Sequence, residues 1–259
     1  MMLRKRYTMD LNTLMKLGEG KTAEVFALDE ARALKLYLEG FQARDAETEY
    51  ACGILAQRCG VPVPRMLEYC LVNGRHGLIM ERIDGQSMLE PMLKAGPEAL
   101  IGMLGSFAAI HRSMLEIHAP DAPACKQRLA YQLERSGNNR FLPHLHALPD
   151  GDRLCHGDFH PGNVLMCQGK PYVIDLMSCC KGAPVLDIAR TYYLMSYGAL
   201  DLIDASLHRE IGAQYLQAMG IKLKEIAPAL PVVMAARLSE SPIEPERAVI
   251  MDHLRDLEG

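Results

Sequence analysis

The run His156-Gly157-Asp158-Phe159-His160-Pro161-Gly162-Asn163, followed by Asp175, sets a carboxylate, a carboxamide five residues on and a second carboxylate at the end of the next apolar stretch. Phosphoryl transfer asks little covalent chemistry of a protein. It needs one carboxylate to orient and deprotonate the attacking hydroxyl, and magnesium to neutralise the phosphate oxygens. Asp158 suits the first role. Asn163 and Asp175 suit the second, since magnesium takes hard oxygen ligands and keeps several waters, so two side chains plus nucleotide phosphates suffice. Val164-Leu165-Met166 and Tyr172-Val173-Ile174, joined by Cys167 to Pro171, predict a β-hairpin that hangs from the motif and gathers the three side chains around one cavity.

Upstream residues could serve the nucleotide. His156, Asp158 and Asn163 match the protein-kinase pattern His-Arg-Asp-Leu-x-x-x-x-Asn, with Gly157 in place of its arginine. Leu17-Gly18-Glu19-Gly20-Lys21-Thr22-Ala23-Glu24-Val25 is close to the phosphate-covering Gly-x-Gly-x-x-Gly-x-Val, with Gly18, Gly20 and Val25 in place and Ala23 replacing the third glycine. Gly20-Lys21-Thr22 does not make a Walker A loop, because Met15 stands where that motif needs glycine. Ala33-Leu34-Lys35 matches the end of Val-Ala-Ile-Lys, whose lysine holds the α- and β-phosphates. Glu49, on the polar side of an amphipathic helix, is the expected acidic partner of Lys35, with Glu47 as the alternate.

The elements that must position these residues change character along the chain. Ala23 to Leu28, Ala33 to Leu38, Pro64 to Val72 and Leu78 to Ile83 read as strands, and Gln42 to Cys59 as a helix ended by Gly60 and Pro62. From Gly96-Pro97-Glu98 onward the periodicity is helical, with Leu100, Leu104, Phe107, His111 and Leu115 along one face. Helices are expected over Pro184 to Ser196, Asp201 to Met219, Lys222 to Arg237 and Pro245 to Leu257. The shift near residue 83 predicts two lobes, 1–83 for the nucleotide and 84–259 for catalysis and the acceptor.

Composition excludes several classes. The 259 residues are 49% hydrophobic and 23% charged with net charge −4, a globular balance without the basic field of a nucleic-acid binder. Asp10, Asn12 and Lys16 interrupt the apolar stretch that a signal peptide would need after Arg4-Lys5-Arg6. The longest apolar run, Ile226 to Ala236, falls short of the roughly 20 residues that span a bilayer. Neither export nor membrane insertion is expected. Eight cysteines without a Cys-x-x-Cys pair read as buried thiols in a reducing cytoplasm.

The chain resembles the aminoglycoside phosphotransferase and choline-kinase-like family, relatives of protein kinases. The likeness rests on His156 to Leu165, on Val173-Ile174-Asp175, and on Gly182-Ala183-Pro184 with Asp187-Ile188-Ala189. Glu49 with Gly60-Val61-Pro62-Val63-Pro64, and Ala109-Ile110-His111, are similar too. The resemblance implies an α+β bilobal kinase-like fold: a small antiparallel sheet with one helix, then a larger, mainly helical lobe with a catalytic hairpin. It also implies ATP, or in some members GTP, as donor, a hydroxyl-bearing small molecule as acceptor, and Met80, Glu81 and Ile83 as a hinge reading the adenine edge. Gly157 removes the arginine that in many protein kinases pairs with a phosphorylated activation loop, and Lys181 to Pro184 leave little chain to build a platform for a peptide, so a small acceptor is favoured over the peptide of an atypical protein kinase.

Other readings remain. His156, Asp158 and His160 could hold metals in a dinuclear hydrolase. A pseudokinase would bind nucleotide without turnover, although Lys35, Asp158, Asn163 and Asp175 are all intact. His156 and His111 read as scaffold residues around the loop, His160-Pro161-Gly162 as a turn aiming Asn163, and Asp187 as a helix cap or brace. Asp187, Asp201, Asp204 and Glu210 are the carboxylates available to a cationic acceptor.

Overall fold

Side chains alternate across a strand, and Arg32–Tyr37 uses this to build two faces at once. Leu34 and Leu36 enter a core with Phe26, Cys70, Val72 and Ile79. Tyr37, from the opposite face, packs with Ala23, Ala46, Tyr69 and Leu78. The computed structural model describes residues 5–198 and 205–256, so Asp201, Asp204 and Leu257 lie outside the described residues. Two compact units emerge, 1–86 with 164–178 and 87–163 with 179–259. The hairpin after the motif thus groups with the first unit.

In the first unit, strands β1 (Lys5–Tyr7), β2 (Lys16–Glu19), β3 (Ala23–Ala27), β4 (Arg32–Tyr37), β5 (Met66–Val72) and β6 (Arg75–Glu81) form one sheet in the order β1-β5-β6-β4-β3-β2. The sheet is antiparallel except that β1 runs parallel to β5. Helix α1 (Ala43–Arg58) buries Ala46, Glu49, Cys52 and Ala56. Its capping box joins the Gln42 N–H to the Asp45 carboxylate. Glu49 therefore faces inward, and not on the polar side where the sequence pattern placed it. After β7 (Gln86–Ser87) the chain passes into the second unit.

That unit contains helices α2 (Leu89–Lys94), α3 (Pro97–Leu115), α4 (Cys125–Arg135) and α5 (Leu142–Ala147), then strand β8 (Arg153–Cys155). Pro97 opens α3 at a position where its missing N–H costs no hydrogen bond. The hairpin β9 (Val164–Cys167) and β10 (Lys170–Val173) belongs to the first unit. Its turn is only Gln168-Gly169, both at positive φ, tighter than the expected connection. Strand β11 (Cys180–Gly182) returns to pair with β8.

Helices α6 (Pro184–Tyr197), α7 (Ala205–Met219), α8 (Leu223–Ile226), α9 (Leu230–Arg237) and α10 (Glu244–Asp256) complete the second unit, with α6 packed on α7 and α9. The single helix expected over Lys222 to Arg237 is split into α8 and α9. Pro228 has no N–H to continue the first, and Pro231 sits in the opening turn of the second. Cys125 and Cys180 form a disulfide between α4 and β11, Cα atoms 5.1 Å apart, which corrects the expectation of eight thiols. No helix among the described residues is long and apolar enough to cross a membrane.

Candidate active site

The first unit supplies a buried cation. Lys35 and Tyr37, two apart on β4, project toward Glu49 on α1. Lys35 Nζ donates to Glu49 Oε1 at 2.7 Å and Oε2 at 2.8 Å, and the Tyr37 hydroxyl donates to Glu49 Oε2. Lys35 also reaches Asp175 Oδ1 at 3.1 Å. Burial alone would drive the Lys35 ammonium toward neutrality, but Glu49 and Asp175 prevail and hold its pKa above the ordinary value. Glu47, the alternate, is not the residue in this pair. Asp175 has φ of +61°, a left-handed conformation that non-glycine residues hold only against a cost of about 1–3 kcal/mol.

Around this cluster the predicted glycine segment forms the β2–β3 hairpin. Gly18 lies opposite Val25, and the Gly20 N–H donates to the Ala23 carbonyl at 2.9 Å. Val25 in turn pairs with Lys35. Met80 and Glu81 end β6. The Glu81 and Arg82 N–H groups are bonded to the Arg65 and Ala31 carbonyls, with Ile83 just beyond.

The second unit carries the loop from His156 to Asn163, anchored from several sides. Phe159 is fully buried, stacked on Phe107 at 4.6 Å and on His111 at 4.2 Å between ring centroids. Asp187 of α6 accepts the His156 N–H at 2.6 Å and the Gly157 N–H at 2.7 Å. It also pairs with His111 Nε2 at 3.1 Å. Burial opposes its ionisation, yet these partners keep its pKa below 3.8. Asp187 is therefore a brace for the loop and is not open to an acceptor, as one of the sequence readings had it. Gly157 sits at φ +77°, where a side chain would be strained. This gives a local reason for glycine in place of the protein-kinase arginine.

His156 Nδ1 accepts the Asp158 N–H at 3.2 Å, and His160 Nδ1 accepts the Gly162 N–H at 3.1 Å. Both rings hold the loop's own backbone. Asn163 Nδ2 donates to the Asp158 carbonyl at 2.9 Å, a bond that uses its amide nitrogen and not its carboxamide oxygen. Arg190 was not foreseen. From α6, one helical turn after Asp187, its Nη2 donates to Asp158 Oδ1 at 2.9 Å and to Glu240 Oε2 at 2.7 Å. Burial would raise the Asp158 carboxyl, but the guanidinium outweighs it, helped by His160 and His156, and holds it far below the usual range. The only sequence signal for Arg190 was its three-residue spacing from Asp187 on one helix face.

Asn163 and Asp175 offer hard oxygens of the kind magnesium takes. The fixed amide nitrogen of Asn163 leaves its oxygen available, and Lys35 engages only Oδ1 of Asp175. Each of these oxygens, one in either unit, is of the chemical type that suits the ion. A dinuclear hydrolase would need more, and among the described residues no group of three or more His, Cys, Asp or Glu side chains is placed to hold a metal.

A sheet unit with a buried Lys–Glu pair, together with a helical unit bearing an Asp–Asn loop, defines the kinase-like class of phosphotransferases. The family model of the phosphotransferase enzyme family, APH, matches residues 13–223, and the chain belongs to that family. It is thus a small-molecule kinase by class. A thermostable mutant of aminoglycoside phosphotransferase APH(4)-Ia in its apo form is similar in structure, with TM-score 0.64 and 13% identity, over 93% of this chain and 94% of that one. ADP-bound APH(2'')-Ib gives 0.59 and 18%, over 95% and 92%. APH(3'')-Id from Streptomyces rimosus, in complex with ADP and streptomycin, gives 0.60 and 17%, over 83% and 90%. At these identities the likeness is one of fold. No curated protein sequence matches the chain.

Proposed function

We propose that the chain transfers the γ-phosphoryl group of ATP, with GTP as the alternative donor, to a hydroxyl of a small molecule. The observation that carries this reading is the Asp158 carboxylate. Its side chain is 31% exposed, fixed by Arg190, and presented by a loop whose backbone is tied to Asp187 and Asn163. A carboxylate held so far below its usual pKa is ionised at neutral pH and accepts a hydrogen bond from the acceptor hydroxyl, which aligns the oxygen for in-line attack. The acceptor oxygen bonds to the γ-phosphorus, the bond to the β–γ bridging oxygen breaks, the hydroxyl proton passes to Asp158, and ADP leaves.

Lys35 is the residue for the α- and β-phosphates, and Glu49 with Tyr37 fixes its direction. Asn163 and Asp175 are the candidate magnesium ligands, and the ion would supply charge neutralisation at the phosphate oxygens. Gly18, Gly20 and Val25 lie in the hairpin suited to cover the phosphates, and Met80, Glu81 and Ile83 in the segment suited to the adenine edge. In this reading residues 1–83 bind nucleotide, and residues 84–259 carry catalysis and bind the acceptor. The ADP in the structures of APH(2'')-Ib and APH(3'')-Id supports a nucleotide donor. Aminoglycoside-like, choline- or ethanolamine-like, amino-alcohol and sugar acceptors are all consistent with the catalytic loop.

The test is ADP release across a panel of such acceptors, with magnesium and with excess chelator. Acceptor-stimulated release that the chelator abolishes is expected. Release that no acceptor stimulates, or that chelation leaves unchanged, contradicts the reading.

A further inference from the structure

The second unit contains a cavity of about 490 Å³, a size typical of small-molecule sites. Its walls are mostly aliphatic and include Leu89, Met92, Leu100, Leu194 and Ile211. His160 and Pro161 of the catalytic loop form part of the wall, and His160 Nε2 lies 3.9 Å from Asp158 Oδ2. His160 thus borders both the cavity and the Asp158 carboxylate.

The charges on the wall limit what the occupant can be. Arg237 lines the cavity, but its guanidinium is occupied by Glu246, at 2.8 Å, and by Glu240. Among the described lining residues Glu210 is the only carboxylate, and Gln214 already donates to it at 3.1 Å. An ammonium group set against the aliphatic part of this wall would be costly without a paired charge. An apolar body gains from the same surface.

We infer that the acceptor is an alcohol with a predominantly apolar body and at most one basic nitrogen, its hydroxyl at Asp158 and its body in the cavity beside α2, α6 and α7. This rests on the phosphotransferase reading above and narrows its substrate class. Glu210 is the partner for the single nitrogen, and Ile211 and Leu100 are specificity residues for the apolar body.

The experiment measures binding and turnover separately, using 2-(butylamino)ethanol, 2-(hexylamino)ethanol, 2-(octylamino)ethanol and kanamycin on the full chain. Calorimetry with magnesium-ADP present should show Kd falling about two- to fourfold for each added methylene, with kanamycin weaker than the octyl compound. Ile211→Asp should weaken the octyl compound at least tenfold while leaving the ADP Kd unchanged. Ile211→Phe, which fills space without adding charge, should shift the preference toward the butyl compound. A Kd independent of chain length, or tighter binding of kanamycin, overturns the assignment of the cavity even if ADP release shows the protein to be a kinase. Chain-length-dependent binding without any ADP release supports the cavity and counts against the phosphotransferase reading.

Discussion

Arg190 holds two carboxylates with one nitrogen, Asp158 on the catalytic loop and Glu240 after α9. Replacing it by methionine keeps the side chain's bulk and removes the cation, so Asp158 loses both its aim and the charge that depresses its pKa. The loss of one charge-assisted hydrogen bond, about 1.5–3 kcal/mol, should lower kcat roughly 10- to 100-fold. Because the depressed pKa belongs to the carboxylate form, the wild type should show no acid limb from Asp158 near pH 5, and Arg190→Met should move that limb upward. A pH–rate profile of both proteins checks this, and an unmoved limb would mean that Arg190 does not tune Asp158. The sequence made Asp158, Asn163, Asp175 and Lys35 legible because their types and spacings are the chemistry itself. Arg190 and Tyr37 were not legible, since an arginine or tyrosine in an element becomes a partner only when packing brings a carboxylate against it. Glu49 was legible as an acidic residue on the helix after the Lys35 strand, but its burial was not, because an ionic pair makes a core residue look like a surface one.

At the scale of elements, α6 and the loop it supports work as one piece. Asp187 and Arg190, three apart on α6, reach the backbone and the side chain of the same catalytic loop. That geometry needs the positive φ of Gly157. Gly157→Ala should cost about 1–2 kcal/mol in stability from the left-handed conformation. It should also reduce kcat more than the nucleotide Kd changes, because the tilt is passed to Asp158. Denaturant melts paired with kinetics read both effects, and equal stability with full activity would exclude the strain. Most strands and helices were visible as period-two or helical patterns. The short strands β1, β8 and β11 escaped notice, for three residues carry no periodicity, and their pairing is decided by tertiary contacts. The break between α8 and α9 was in the prolines, but the apolar run around them read as continuous.

For the molecule as a whole, acid sensitivity follows from three buried or half-buried carboxylates. In Asp158, Asp187 and Glu240, burial is outweighed by neighbouring cations or hydrogen-bond donors, and each folded pKa is lowered. The unfolded chain then binds more protons as pH falls, so their stabilisation is present above the ordinary values of 3.8 and 4.5 and is lost progressively below them. Melting temperature should vary little between pH 8 and about 5 on account of these groups, then fall. Asp187→Asn should lower the neutral melting point, by about 3 kcal/mol of stability, and shallow the acid decline. An unchanged acid decline in that variant would remove Asp187 from the cause. The Cys125–Cys180 bond crosses 55 residues, and loop closure of that length stabilises by about 4 kcal/mol. Thiol titration of the denatured, unreduced chain should count six thiols, rising to eight after reduction. Eight from the start would show the pair to be open. The most direct measurement is kcat of Asp158→Asn on an accepted alcohol, with magnesium-ADP affinity measured on the same protein. A fall of about 100- to 10,000-fold in kcat with unchanged nucleotide affinity is expected. Turnover equal to the wild type would show that the catalytic centre lies elsewhere.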